Sequence, residues 1–293
     1  MGLGAMRTQS NWARRVSLVG RNPRSAWVDE MRRVARAVRP RRSATEVDAT
    51  AHLSDRSDYK RTWTALATTD NDAAMWVAGT ADDQHLETTG AHTVELLMRY
   101  VAIEPTDEVL EIGCGVGRVG KVLAPRCRSW VGADISPNML VVARRRLAGL
   151  ANVEFCELAT VGLSEFADES FDVVYCTVVF MHLFEWDRYR YVQEAHRVLR
   201  PGGRCFFDNV DITSGHARSF FAEGASYPLM DRPAQIGMAS SGDELRVYGG
   251  WAGFAEIRIY RWDDAWVGMV GTKIPPPEKP PDAEHLDSPQ SAT

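Results

Sequence analysis

No stretch of this 293-residue chain approaches the roughly 18 consecutive apolar residues that span a bilayer. The strongest apolar run, Val173 to Met181, is short, is interrupted by Cys176 and Thr177, and reads as a buried strand. No membrane span is expected. The N-terminus lacks an apolar segment followed by small residues, which argues against a secretory leader, although its Arg-rich start leaves an organellar transit peptide open. Cysteine is scarce as well. The five that occur (Cys114, Cys127, Cys156, Cys176 and Cys205) form no C-x-x-C pair, so neither a disulfide framework nor a metal site is indicated. That usage suits a reducing compartment, and a cytoplasmic location is the expectation. Internal repeats are missing too. A hydrophobic fraction of 45% with 25% charged residues is that of a folding, water-soluble chain, and one large core is the simplest organisation at this length.

The net charge of -5 hides an asymmetry: residues 1–61 carry 14 Arg and Lys against 6 Asp and Glu, leaving 20 against 33 for the remainder. A basic arm of this kind can attract nucleic acid or an anionic membrane surface, or be a solvated extension, and the latter is favoured here. Residues 1–70 lack a sustained apolar period, which predicts a mobile extension with one short helix over 27–38. The proline-rich tail, 274–293, is expected to be disordered. A single folded domain over 71–273 lies between them.

Within that domain, apolar spacing predicts a helix over His92 to Val101, a strand over Glu108 to Ile112, and a helical segment over Val119 to Leu123. A second strand, Ser129 to Asp134, leads through Ser136 and Pro137, an N-cap and first-turn proline, into a helix over Met139 to Leu150. Val153 to Cys156 and Phe171 to Val178 read as strands, Trp186 to Leu199 as a helix. Pro201 to Gly203 should break the chain before a strand over Arg204 to Asp208. Strands separated by helices imply a parallel sheet covered on both faces. Residues 211–240 read as an irregular insertion. The ending changes to a helix over Asp243 to Tyr248 and two strands, Ala255 to Trp262 and Ala265 to Thr272, joined at Asp263 and Asp264 as an antiparallel hairpin.

The strongest chemical signal runs from Val109 to Gly120. Glycines at 113, 115 and 117, between a strand and a helix, let the backbone pass close under a ligand. From Gly115 the run also reads G-x-G-x-x-G, so the glycines alone suit a nicotinamide enzyme equally well. Asp134, at the second strand end, could accept bonds from the ribose hydroxyls of an adenosine-bearing cofactor.

The stretch around Glu111 and Gly113 to Gly117 resembles the first motif of the class I S-adenosylmethionine-dependent methyltransferases, and Val131 to Ser136 resembles the second. Ser170 to Thr177, Phe180 to Leu183 and Glu194 to Gly203 are similar to that family's pattern around strands four and five, which a nicotinamide enzyme has no reason to show. The resemblance covers about residues 85–273 and implies a doubly wound, mostly parallel seven-stranded α/β sheet with a C-terminal antiparallel hairpin. It further implies S-adenosyl-L-methionine as cofactor, S-adenosyl-L-homocysteine as product, and a cofactor site made of Glu111, Gly113, Cys114, Gly115, Gly117, Asp134, Ile135, Met139 and Thr177. Glu111 would hold the amino group of the methionine moiety, Asp134 the ribose, and Ile135 and Met139 the adenine faces. Leu158 and Ala159 replace the family's usual Gly-Asp after strand three, so the Ala159 amide or the Thr160 hydroxyl is expected to serve the adenine instead.

Direct displacement from a sulfonium requires alignment and exclusion of water, and no metal. The acceptor is expected above the strand ends, near Trp76, His85, Thr89 and His92, with the 211–240 insertion as a cap. His182 is the candidate base, since an imidazole titrates near neutrality. Phe180, Phe184, Trp186, Tyr189 and Tyr191 suit a flat substrate, but their helical spacing favours core for at least part of the group. Cys176 to Val179 lacks the Asn-Pro-Pro-Tyr pattern of nucleic-acid acceptors, so nucleic acid is an unlikely partner and a small-molecule or natural-product acceptor is expected. A non-catalytic cofactor-binding scaffold and an NAD-binding oxidoreductase are the alternatives. No feature of the sequence sets an oligomeric state.

Overall fold

In the computed structural model, residues 57–228 and 232–275 are described. Three helices come first: α1 (Tyr59–Leu66), α2 (Asp70–Ala78) and α3 (Asp83–Tyr100). Then β1 (Glu108–Ile112), α4 (Gly120–Leu123), β2 (Ser129–Asp134), α5 (Pro137–Arg146), β3 (Val153–Glu157), β4 (Phe171–Cys176), α6 (Glu185–Val198) and β5 (Leu199–Val210) alternate. The chain closes with α7 (Gly215–Ser226), α8 (Gly242–Ala252), β6 (Ala255–Trp262) and β7 (Trp266–Thr272). The seven strands form one sheet in the order β3-β2-β1-β4-β5-β7-β6, with β7 inserted antiparallel between β5 and β6. Strand order reverses between β1 and β4, and a crevice opens at such a reversal.

Successive residues of a strand point to opposite faces, and that alternation divides the core. Val109, Val173, Tyr175 and Phe206 pack with α3 and α5 on one face. Leu110, Val174, Cys205 and Phe207 pack with α6 and α8 on the other. Asp263 and Asp264 take φ of 57° and 52°, the left-handed pair that a tight hairpin needs and that Asp tolerates. Ser136 caps α5 by accepting from the Met139 amide, with Pro137 in the first turn. Among the described residues, no helix is long and apolar enough to cross a membrane.

Three expectations need correction. The packed unit begins before residue 71: α1 lies in the segment read as a mobile extension, and Tyr59 is buried in the core. Its helical signal is short, and its partners are remote in sequence. Pro201 to Gly203 does not break the chain ahead of β5 but forms an irregularity within it, where β4 pairing jumps from Phe171↔Leu199 to Val173↔Arg204. The Gly202 amide donates to the Lys273 carbonyl and the Lys273 amide to that of Gly203, so the backbone stays paired. The 211–240 insertion contains α7, capped by Ser214; only Ala217 and Phe220 of that helix are buried, too few for a readable stripe. The aromatic group near α6 divides, with Phe180 and Tyr191 buried and Trp186 64% exposed, stacked on Phe184. The helix expected over 27–38 and the tail beyond 275 lie outside the described residues.

Candidate cofactor and acceptor site

The crevice at the β1–β4 reversal holds a cavity of about 860 Å³ when the open space at its mouth is included. Its floor is the turn after β1. Gly113 and Gly115 have φ of 72° and 53°, and a Cβ at either would fall 2.3 Å from Val179 Cγ2 or 2.7 Å from Val77 Cγ2. Only glycine fits both demands. The Gly113 and Cys114 amides donate to the Ala133 carbonyl, wrapping the turn around the end of β2.

Asp134 locks that arrangement from the other side. Its two carboxylate oxygens accept the Gly115 and Ser136 amides, each at 2.8 Å. Burial nevertheless raises its pKa to about 6, with the Ser136, Gly115 and Ile135 amides opposing the shift. Glu111 lies across the sheet from Tyr175, whose hydroxyl donates to Glu111 Oε2 at 2.6 Å and in turn accepts from Trp130 Nε1 at 3.0 Å. Burial pushes the Glu111 carboxyl up to about 8, opposed by Tyr175 and Arg118, while the charge of Asp134 adds to the rise. A cation beside Glu111 would favour its ionised form and lower that pKa.

Of the site residues expected from the sequence, Glu111, Gly113, Cys114, Gly115, Asp134, Ile135, Met139, Thr177 and His182 line the cavity together. Gly117 does not. A Cβ there would meet Leu147 Cδ1 at 2.6 Å, so this glycine, at φ 74°, allows close packing of the turn on α5. Ala159 and Thr160 do not line it either: both are exposed, and the Ala159 amide donates to Glu165 Oε1 at 2.8 Å. Their buried neighbours Leu158 and Val161 face the cavity, which makes that end apolar. Trp76 reaches the cavity, whereas His85, Thr89 and His92 lie along another face of α3. There the Thr89 carbonyl accepts from Arg118 Nη1, and His92 Nε2 meets Asp263 Oδ2 at 3.1 Å.

Sequence reasoning missed Arg118 and the wall from α1. Arg118 is the only Lys or Arg among the described lining residues, and its Nη1 donates to the Thr89 carbonyl and Thr93 Oγ1, each at 3.0 Å. Tyr59 and Trp63 are one helical turn apart on α1, a spacing that could have flagged the wall. The Tyr59 hydroxyl donates to Asp187 and accepts the Phe184 amide, and the Lys60 ammonium donates to the Leu158 carbonyl. Trp63 meets His182 edge to face, with ring centroids 4.7 Å apart. His182 Nδ1 lies 3.1 Å from the Gln235 carbonyl. A carbonyl only accepts, which assigns a proton to Nδ1. Among the described residues, no group of three or more His, Cys, Asp or Glu is placed to hold a metal ion.

A methyltransferase-domain family matches residues 110–207. The chain is 36% identical over 130 residues to methyltransferase GfsG of Streptomyces halstedii, covering 43% of this chain and 46% of that protein. It is 32% identical over 123 residues to the ubiquinone biosynthesis O-methyltransferase of Pseudomonas syringae, covering 42% and 52%. The chain thus spans about half the length of these relatives. Among solved structures, its fold is like that of a Haemonchus contortus phosphoethanolamine N-methyltransferase 2 in complex with phosphomonomethylethanolamine and S-adenosylhomocysteine. That likeness has a TM-score of 0.53 at 16% identity, covering 71% of this chain and 61% of that one.

Proposed function

We propose that this chain is a class I S-adenosylmethionine-dependent methyltransferase, transferring a methyl group from that cofactor to an uncharged, ring-bearing small molecule. The observation that carries the reading is the glycine turn at the sheet reversal, tied by the Gly115 amide to Asp134 with Glu111 beside it. The cradle fits the cofactor. A side chain at Gly113 or Gly115 would fill it, and the carboxyls of Glu111 and Asp134 match an ammonium and a ribose diol. Arg118 matches the amino-acid carboxylate, and Leu158, Val161, Ile135 and Met139 match an adenine ring. When bound, S-adenosylmethionine supplies an electrophilic methyl on a sulfonium.

The protein's own share is to align, to exclude water and to take a proton. Tyr59, Trp63, Trp76 and Leu183 offer apolar and aromatic surface. An anionic acceptor calls for a cation, and Arg118 is already assigned to the cofactor. His182, which lines the cavity and is held through Nδ1 by the Gln235 carbonyl, is the proposed base for a hydroxyl or amine acceptor. The five thiols are free, which suits the proposed cytoplasmic setting.

Calorimetric titration with S-adenosylmethionine, S-adenosylhomocysteine and NADH tests the cofactor. Micromolar binding of the first two without NADH is expected; binding of NADH alone would favour an oxidoreductase. The affinity for S-adenosylhomocysteine is also expected to depend on pH. In the ligand-free protein Glu111 holds its proton up to about pH 8, and an ammonium beside it lowers that pKa, so binding releases a proton. Affinity should therefore rise, by roughly tenfold between pH 6 and 8. A flat profile, with no proton release when buffers of different ionisation heat are compared, would take Glu111 away from the ammonium. For the base, His182→Ala is expected to lower turnover of an acceptor found by screening by roughly a hundredfold or more, with cofactor affinity within about threefold. Wild-type turnover would make His182 a wall residue only.

A further inference from the structure

Among the described non-glycine residues with positive φ, Val178 is the sole β-branched one, at φ 66°. A β-branched residue there is a true outlier, and such strain persists only where the surroundings over-determine it. The determinant is a hydrogen bond to the neighbouring strand β5. Val178 leaves the end of β4, and its amide donates to Asp208 Oδ1 at 2.6 Å. Asp208 belongs to β5, is fully buried, and does not line the cavity, whereas Thr177, Val178 and Val179 all do. The next residue, Val179, packs straight onto the glycine turn, as the 2.3 Å clash of a Gly113 Cβ with its Cγ2 records.

We propose that Asp208 is a positioning residue: its carboxylate holds Val178 in the left-handed conformation and thereby seats Val179 on Gly113, completing the cradle wall between the glycine turn and His182. The ligand used to test this rests on the cofactor reading above, so two readouts are needed. In the full chain, Asp208→Ala is expected to lose S-adenosylhomocysteine affinity roughly tenfold or more by calorimetry. Exchange of the 177–179 amides in that variant should also accelerate roughly tenfold or more. Adding Val178→Gly should return the affinity to within about threefold of wild type, because glycine takes φ near 66° without a tether. A merely structural role predicts instead a lower melting temperature with no recovery by Val178→Gly, and that result would overturn the proposal.

Unchanged affinity together with a protected Val178 amide in Asp208→Ala would overturn it as well. Should Asp208→Ala not fold, Asp208→Asn keeps the volume and offers only a neutral acceptor. An intermediate loss of affinity is then expected, and wild-type affinity counts against the tether. If the wild-type chain binds no S-adenosylhomocysteine, the cofactor reading fails by itself. Amide exchange alone then decides on Asp208: fast exchange at Val178 in the variants supports the tether, and unaltered protection removes it.

Discussion

Asp134→Ala is expected to weaken S-adenosylhomocysteine binding by about 1.5–3 kcal/mol, the usual size for lost hydrogen bonds to a charged group. Two losses combine. The ribose would lose its proposed acceptor, and the turn would lose the bond that joins the Gly115 amide to the end of β2. The Ser136 amide, at the cap of α5, is orphaned by the same change. Asp134→Asn separates shape from charge, since its one carbonyl oxygen can serve only one of the two amides well. Its affinity should fall between wild type and alanine. Calorimetry on all three proteins at pH 8, above the Asp134 pKa of about 6, keeps the wild-type carboxylate ionised. An alanine variant that binds within threefold of wild type would remove Asp134 from the site.

Trp130→Ala is expected to cost about 3–5 kcal/mol of stability, the range for truncating a buried large aromatic residue. Trp130 is fully buried between two glycines, and a Cβ at Gly120 or Gly132 would fall 2.3 Å from its six-membered ring. Sheet and helix are shaped around this side chain. Truncation leaves a cavity and also deprives Tyr175 of the donor that orients its bond to Glu111. Trp130→Phe keeps most of the packing and breaks only that relay, so it should cost less, about 1–3 kcal/mol. Thermal melts should show the alanine variant lower by roughly 10 °C, and urea titration gives the free energies. A loss below 1 kcal/mol for alanine would mean that the two glycine backbones close around the gap. Nearly equal losses for both variants would put the weight on the hydrogen-bond relay instead of on packing.

The part of the site that was legible is the part carried by contiguous sequence. Glu111, Gly113, Cys114 and Gly115 follow one another on a strand and its turn, and Asp134 with Ile135 ends the next strand. The missed parts depend on distant partners. Arg118 sits one residue past the glycines, yet its placement follows from Thr89 and Thr93 on α3. Tyr59 and Trp63 are anchored by Asp187, Phe184 and His182, more than a hundred positions on. After β3, the inward residues are Leu158 and Val161 where Ala159 and Thr160 were expected, because which side chains turn inward depends on how the loop leaves the sheet.

The sequence by itself determined the alternation of strands and helices, the glycine turn, the acidic strand ends and the final hairpin, since each is encoded by local periodicity and by residues with special backbone freedom. Only the tertiary structure decided that α1 walls the cavity, that Gly117 serves packing, that His182 carries a proton on Nδ1, and that Asp208 meets the strained Val178. Each of these is a contact between segments far apart along the chain, and their meeting depends on how the elements pack.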